Sequence, residues 1–213
     1  MKCPLCSHPA APFVLARNRR YNRCARCELV FMEAGDRLTA HEEKAHYDCH
    51  RNNPNDPGYR RFVSPLFEAV RPYLGAGAKG LDFGCGAGSA LMALFEEAGF
   101  EITGYDPFYA DYPDRLARTY DFAVCSETAE HFFGPGKSFE QLFALLRPGG
   151  ILGVMTGFYG AEQPFGEWHY IRDPSHVAFY SPQTFRFLGR QHRSALLLCH
   201  NNLAIFQKGV HDG

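Results

Sequence analysis

The 213-residue sequence contains no apolar run approaching the roughly 20 residues that a membrane span requires. Its start also lacks the charged-then-apolar layout of a secretory leader, so a cytoplasmic location without a membrane partner is expected, where thiols stay reduced. Net charge is nearly absent, at -1, which argues against binding nucleic acid by bulk electrostatics. Acids are missing before Glu28, whereas Lys2, Arg17, Arg19, Arg20, Arg23 and Arg26 precede it, so a local basic surface for an RNA or protein partner stays open. With 46% hydrophobic and 21% charged residues, the chain suits one main core plus a small appendage.

Cysteine is plentiful, and reduced thiols call for an explanation other than disulfides. Cys3 and Cys6 in "CPLC" and Cys24 and Cys27 in "CARC" form two C-x2-C pairs, the spacing of a zinc ribbon. Each tight turn presents two thiolates to one side of a tetrahedral ion, and the second pair closes the shell. A redox pair would account for one C-x2-C but not two, and His8 is an alternative ligand. Cys49, Cys85, Cys125 and Cys199 are scattered singly, as small buried hydrophobes are. His41, His46, Cys49 and His50 cluster in a polar stretch, and a solvated linker helix explains them without a second metal.

The resulting division is a ribbon over 1–40, a linker helix and loop over 41–61, and a main domain over 62–213. In that domain helix-like and strand-like segments alternate: "SPLFEAVRPYL" (helix), "KGLDFG" (strand), "SALMALFEEAG" (helix), "EITGYD" and "YDFAVCSE" (strands), "KSFEQLFALL" (helix), "ILGVMT" (strand) and "SPQTFRFLGRQ" (helix). "ALLLCH" and "LAIFQK", separated only by Asn201 and Asn202, read as a closing hairpin. The expected class is α/β, a doubly wound, mostly parallel sheet with an antiparallel last strand.

Ligands of such sheets bind where strands run into helices. The first such loop, "LDFGCGAG", has Gly84, Gly86 and Gly88 for close backbone approach, and Asp82 before them to face a cation. Ser89 stands where a dinucleotide fingerprint wants its last glycine, so a different ligand is indicated. Asp106, ending the next strand, can accept both hydroxyls of a ribose.

In this motif order the chain resembles the class I S-adenosylmethionine (SAM)-dependent methyltransferases: "LDFGCGAG", "GYDP", "YDFAVCSETAEH" and "LLRPGGILGVMT" follow one another over residues 62–208. The resemblance implies a seven-stranded Rossmann-like sheet, with Asp82, Gly84, Cys85, Gly86 and Gly88 around the methionine part of SAM. It implies Asp106 and Pro107 at the ribose, and Ser126 and Glu127 beside the cofactor. Only residues 107–120 lie between Asp106 and Asp121, so that half of the sheet is expected to be shortened, with Tyr109 or Tyr112 substituting at adenine. The ribbon and the downstream "FGEWHYIRDPSHVAFYSPQTF" resemble a bacterial group of zinc-ribbon methyltransferases.

Glu127, Glu130 and His131 follow the fourth-motif strand, and a helical turn there would align them. With His176 they resemble the divalent-metal site of small-RNA 3′-end 2′-O-methyltransferases and of ubiquinone-pathway O-methyltransferases. That likeness implies Mg²⁺ or another divalent ion that binds acceptor hydroxyls and lowers the pKa of one. Without metal, His131, His169 or His176 would serve as a general base, and the aromatic loop around His169 would line an acceptor pocket. Oxygen is the favoured acceptor, with nitrogen and carbon open. A small-molecule substrate is preferred over an RNA or protein docked on the ribbon, or over a non-catalytic SAM-binding module.

Overall fold

The computed structural model describes residues 1–48, 53–160 and 163–209. Cys49 and His50 of the linker cluster lie outside that set. The chain opens with a hairpin, β1 (Ala10–Ala16) and β2 (Arg19–Cys24), whose two connecting residues Arg17 and Asn18 both take the left-handed conformation that matches strand twist. β3 (Val30–Met32) pairs antiparallel with β2. α1 (Ala40–Tyr47) is started by a capping box in which Thr39 and Glu42 exchange hydrogen bonds.

α2 (Pro57–Val70) begins earlier than the expected "SPLFEAVRPYL" helix. Pro57 and Gly58, read as loop punctuation, form its first turn: a proline loses nothing there, and Asp56 accepts a hydrogen bond from the Tyr59 N–H at 2.7 Å. Pro65 inside this helix deprives the Arg61 carbonyl of a donor, and the Ser64 hydroxyl supplies one at 3.0 Å.

Next come β4 (Lys79–Phe83), α3 (Ala90–Glu97), β5 (Glu101–Tyr105), β6 (Tyr120–Ser126), α4 (Pro135–Ala144) and β7 (Leu146–Met155). β7 starts before "ILGVMT", because residues 147–150 bulge opposite Asp121, with Gly149 at φ 78°. After a long loop follow β8 (Ala178–Phe179), α5 (Pro182–Gln191), β9 (Ser194–His200) and β10 (Leu203–Lys208). Asn201 at φ 56° turns the closing hairpin.

The main sheet has the order β5-β4-β6-β7-β10-β9; β5, β4, β6 and β7 are parallel and β10 and β9 antiparallel. Among the described residues it has six strands and ends at β5, since a short 3-10 turn over Pro113–Ala117 stands where a third helix and strand were in question. α2 and α3 bury Leu66, Phe67, Leu91 and Phe95 on one face; α4 and α5 bury Phe139, Leu142, Phe185 and Leu188 on the other.

The N-terminal segment does not carry a core of its own. Leu5, Cys24, Cys27, Leu29 and Phe31 pack into the α4/α5 layer, and β8 adds a fourth strand to the N-terminal sheet by pairing with β3. Trp168, in the aromatic loop around His169 expected to line an acceptor pocket, packs instead with Phe165 and Phe179 against Tyr21, Val30 and Met32.

Candidate active site

Order reverses at β4, whose neighbours β5 and β6 lie on opposite sides, and a cavity of about 780 Å³ opens above the carboxyl ends of these strands. Gly84 at φ 83° and Gly86 at φ 61° form the loop beneath it. A β-carbon on Gly84 would stand 2.2 Å from Thr128 Cγ2, so only glycine lets this loop lie against the Ser126–Thr128 turn. The Gly84 and Cys85 amides donate to the Tyr105 carbonyl, and the Gly86 amide donates to Asp106 Oδ2 at 3.0 Å. Asp106 Oδ1 accepts from Phe108 and Tyr109 N–H, which fixes the carboxylate at the cavity wall.

Gly84, Cys85, Gly86, Asp106, Pro107, Ser126 and Glu127 all line the cavity, with Tyr109. Asp82 and Gly88 do not. Asp82 is buried beneath the loop, where it accepts from Ser89 Oγ at 2.6 Å, and burial pushes its pKa up to about 6. Its expected role facing a cation gives way to bracing the start of α3. Tyr112 is exposed with Arg115 over its ring, away from the cavity. Ser126 Oγ is buried without a hydrogen-bond partner among the described residues.

The Glu/His group arises from a tight turn, not the aligned helix expected. Glu127 takes φ 46°, and Ala129–His131 form one 3-10 turn. Glu130, His131 and His176 come together, with one ligand atom from each within 4.8 Å of the others; Glu127 is not in that group. Tyr170 joins the two acids, its hydroxyl reaching both Glu130 Oε1 and, at 3.1 Å, Glu127 Oε2. Thr156 Oγ1 donates to Glu130 Oε2 at 2.9 Å, so the fully buried Glu130 is held from two sides. Burial, and after it the charge of Glu130, push the pKa of Glu127 upward.

His131 Nδ1 lies 3.1 Å from the Ser175 carbonyl and His176 Nδ1 2.8 Å from the Tyr170 carbonyl. A carbonyl only accepts, so both rings donate from Nδ1, which makes Nε2 the nitrogen that would ligate a metal in the neutral ring. Burial lowers the pKa of His176 and keeps it neutral. His169 is exposed and does not line the cavity, so the structure removes it from the candidates for a base. Sequence reasoning missed Tyr170, Thr156 and Asp173; the last accepts from Ser175 and contacts His46 Nε2 at 3.1 Å. These residues are distant in sequence from the Glu130 turn: the pairing of β6 with β7 brings Thr156 to it, and the loop after β7 brings Tyr170 and Asp173.

The four ribbon cysteines form the other cluster. The Ser7 amide donates to the Cys3 carbonyl and the Glu28 amide to the Cys24 carbonyl, both at 2.9 Å, with Ser7 and Glu28 at positive φ. The Sγ atoms of Cys3–Cys27, Cys6–Cys24 and Cys6–Cys27 lie 3.5–3.6 Å apart. A ZnS4 tetrahedron with Zn–S near 2.3 Å has edges of about 3.8 Å, so the donor set fits that ion.

The ribbon's arginines are largely engaged within the protein. Arg19 donates to the Ile171 and Asp173 carbonyls, Arg20 binds Asp36 and Glu33, and Arg23 pairs with Glu28.

A glycine loop and an acidic strand end at the switch point of such a sheet define the class I SAM-dependent methyltransferases. Residues 56–192 match the family described as methyltransferase domain, and the chain belongs to that family. A search of curated proteins found no match. Among solved structures the fold is similar to Burkholderia thailandensis 1,6-didemethyltoxoflavin-N1-methyltransferase, solved with 1,6-didemethyltoxoflavin and S-adenosylhomocysteine. The TM-score is 0.59 at 18% identity, covering 94% of this chain and 100% of that one. It is also similar to a SAM-dependent methyltransferase from Archaeoglobus fulgidus (TM-score 0.53, 16% identity, 70% of this chain and 94% of that one). An O-methyltransferase family protein from Burkholderia thailandensis gives 0.52 at 13% identity, with 80% and 60% covered. No helix among the described residues is long and apolar enough to cross a membrane.

Proposed function

We propose that this methyltransferase moves the methyl group of SAM to a hydroxyl of a small molecule bound in the same cavity. The observation that carries this reading is the continuity of that cavity, which joins the Gly84–Ala87 loop and Asp106 to Glu130, His131 and His176. In the proposed arrangement the methionine part of the cofactor lies against the Gly84–Ala87 loop and Asp106 holds the ribose. The methyl carbon leaves the sulfonium sulfur as it bonds to the acceptor oxygen, whose proton is released, and the protein's part is to align the two and exclude water. α1 covers the site through Glu43 and Tyr47, and the ring of Tyr47 packs on His131 at 5.2 Å.

Glu130, His131 and His176 would hold a divalent cation, with Thr156 and Tyr170 fixing the carboxylate and two backbone carbonyls fixing the imidazoles. Such an ion would bind the acceptor hydroxyl and lower its pKa. The four ribbon cysteines would hold a structural zinc. Small molecules are favoured over RNA because the net charge is -1, Arg19 bonds the Ile171 and Asp173 carbonyls, and Arg20 and Arg23 are balanced by Asp36, Glu33 and Glu28.

The test is transfer from methyl-labelled SAM to a nuclease-free cell extract, afterwards separated into small molecules, RNA and protein, with EDTA and Mg²⁺ add-back as controls. Transfer should be lost with EDTA and return with Mg²⁺, and Glu130→Gln or His176→Ala should lower kcat by about 100-fold, in the range of removing a group that polarises the acceptor. Full activity of both variants in EDTA would overturn the metal, and label in RNA or protein alone would overturn the substrate class.

A further inference from the structure

Leaving aside the cation proposed at Glu130, His131 and His176, the described side chains that line the cavity bring acids but no strong base. Among the described lining residues there are six carboxylates and no lysine or arginine. Most of those acids already have work within the fold. Asp106 is tied to backbone amides, Asp48 pairs with Lys44, Asp173 is held by Ser175 and His46, and Glu127 and Glu130 share Tyr170.

Glu43 differs from them. It projects from α1 into the cavity, is only 8% exposed, and accepts one hydrogen bond among the described residues, from the Tyr47 hydroxyl at 3.1 Å. The other members of α1 do not neutralise it: Lys44 is drawn to Asp48 at 2.8 Å and His46 to Asp173 at 3.1 Å. A buried carboxylate without a cation is unfavourable unless it is protonated or a ligand brings the missing charge. Burial indeed raises its pKa, so an incoming cation would also draw its proton off.

The rings beside Glu43 suit the same kind of guest. Tyr47 lies 5.2 Å from His131 and 5.9 Å from Phe108, so a cation entering here meets aromatic rings as well as a carboxylate, whereas the Phe133 ring at the cavity wall already carries Arg37 at 5.3 Å. A carboxylate, phosphate or sulfate on the part of the acceptor that faces α1 would meet no lysine or arginine among these residues, but the carboxylate of Glu43 in a partly desolvated space.

We propose that the acceptor carries an organic cation, a protonated amine, which docks between Glu43 and the ring of Tyr47, and that it carries no anionic group. Glu43 is on this account the residue that selects the acceptor. The proposal deepens the small-molecule reading and rests on it. The hydroxyl to be methylated sits toward Glu130, and the ammonium sits toward α1.

The experiment supplies the protein with an equal mixture of CH3-SAM and CD3-SAM together with the small-molecule fraction of a cell extract. The extract is then separated on cation and anion exchangers at pH 7, and CH3/CD3 doublets are sought in each fraction by mass spectrometry. Doublets are expected in the cation-exchange fraction. For the acceptor so found, Glu43→Gln should lower kcat/KM tenfold or more while the affinity for S-adenosylhomocysteine and the melting temperature stay as in the wild type. Doublets confined to the anion-exchange or unretained fractions would overturn the proposal, as would an unchanged kcat/KM in Glu43→Gln. Absence of doublets from every fraction, by a protein that binds S-adenosylhomocysteine, would overturn the small-molecule reading itself and this inference with it.

Discussion

At the scale of single residues, two carboxylates that sequence treats alike are put to different uses by burial. Asp106 sits at the cavity wall with three backbone amides on it, whereas Asp82 lies under the loop with Ser89 as its partner. Because the folded protein raises the Asp82 pKa to about 6, its burial is tolerated fully only while it is protonated. That contribution is present at pH below its unfolded value and is lost as pH rises toward 6. Asp82→Asn, which keeps an acceptor for Ser89, should therefore be the more stable protein at pH 8 by up to about 3 kcal/mol. The advantage should shrink as pH falls from 6 to 4; chemical denaturation at several pH values reads it, and an advantage independent of pH would contradict this account. Gly84 is constrained more severely. Gly84→Ala combines a positive φ with a 2.2 Å approach to Thr128, so it should weaken S-adenosylhomocysteine binding at least tenfold and lower the melting temperature.

At the scale of elements, much of the topology was legible. Alternating periodicity gave the strand and helix order, the Asn201-Asn202 pair marked the β9–β10 hairpin, and the short span from Asp106 to Asp121 marked the truncated edge. Three things were not legible. The Pro57 start of α2 looked like a loop because a proline and a glycine signal a turn and a helix first turn alike. The Glu127 turn looked helical because spacing alone does not reveal a residue at φ 46°. The aromatic "FGEWHY" loop looked like a pocket wall because a local pattern cannot say which surface it will cover; here it covers the N-terminal sheet.

That last contact gives the N-terminal strands a part in the site. Met32 N–H donates to the Val177 carbonyl and Val177 N–H to the Glu130 carbonyl, each within 2.9 Å, so the His176 segment is clamped between β3 and the Glu130 turn. Arg19 holds the same segment through the Ile171 and Asp173 carbonyls. Arg19→Ala should raise the KM for the acceptor severalfold and leave cofactor affinity unchanged, since its bonds end on the acceptor side. A matched loss of cofactor affinity would show that Arg19 acts through general stability.

At the scale of the whole molecule, the cysteine cluster and the catalytic-sheet core are one packed body: Cys24, Cys27 and Leu29 share a hydrophobic layer with Phe139 and Leu188. A zinc ion on the four thiolates would then stabilise both parts together. Cys27→Ser should lower the melting temperature by about 10 °C or more, in one cooperative transition and not as a separate early step. Two resolved transitions in scanning calorimetry would mean that the ribbon folds as an independent unit.

The central claim is that the cavity above β4 and β5 binds the SAM nucleoside and amino acid. Calorimetric titration with S-adenosylhomocysteine tests it most directly, on the wild type and on Asp106→Ala. The account predicts one site per chain in the wild type and affinity at least tenfold weaker in the variant, because the ribose hydroxyls lose their only proposed carboxylate. Equal affinity in the two proteins, or no binding by the wild type, would contradict it.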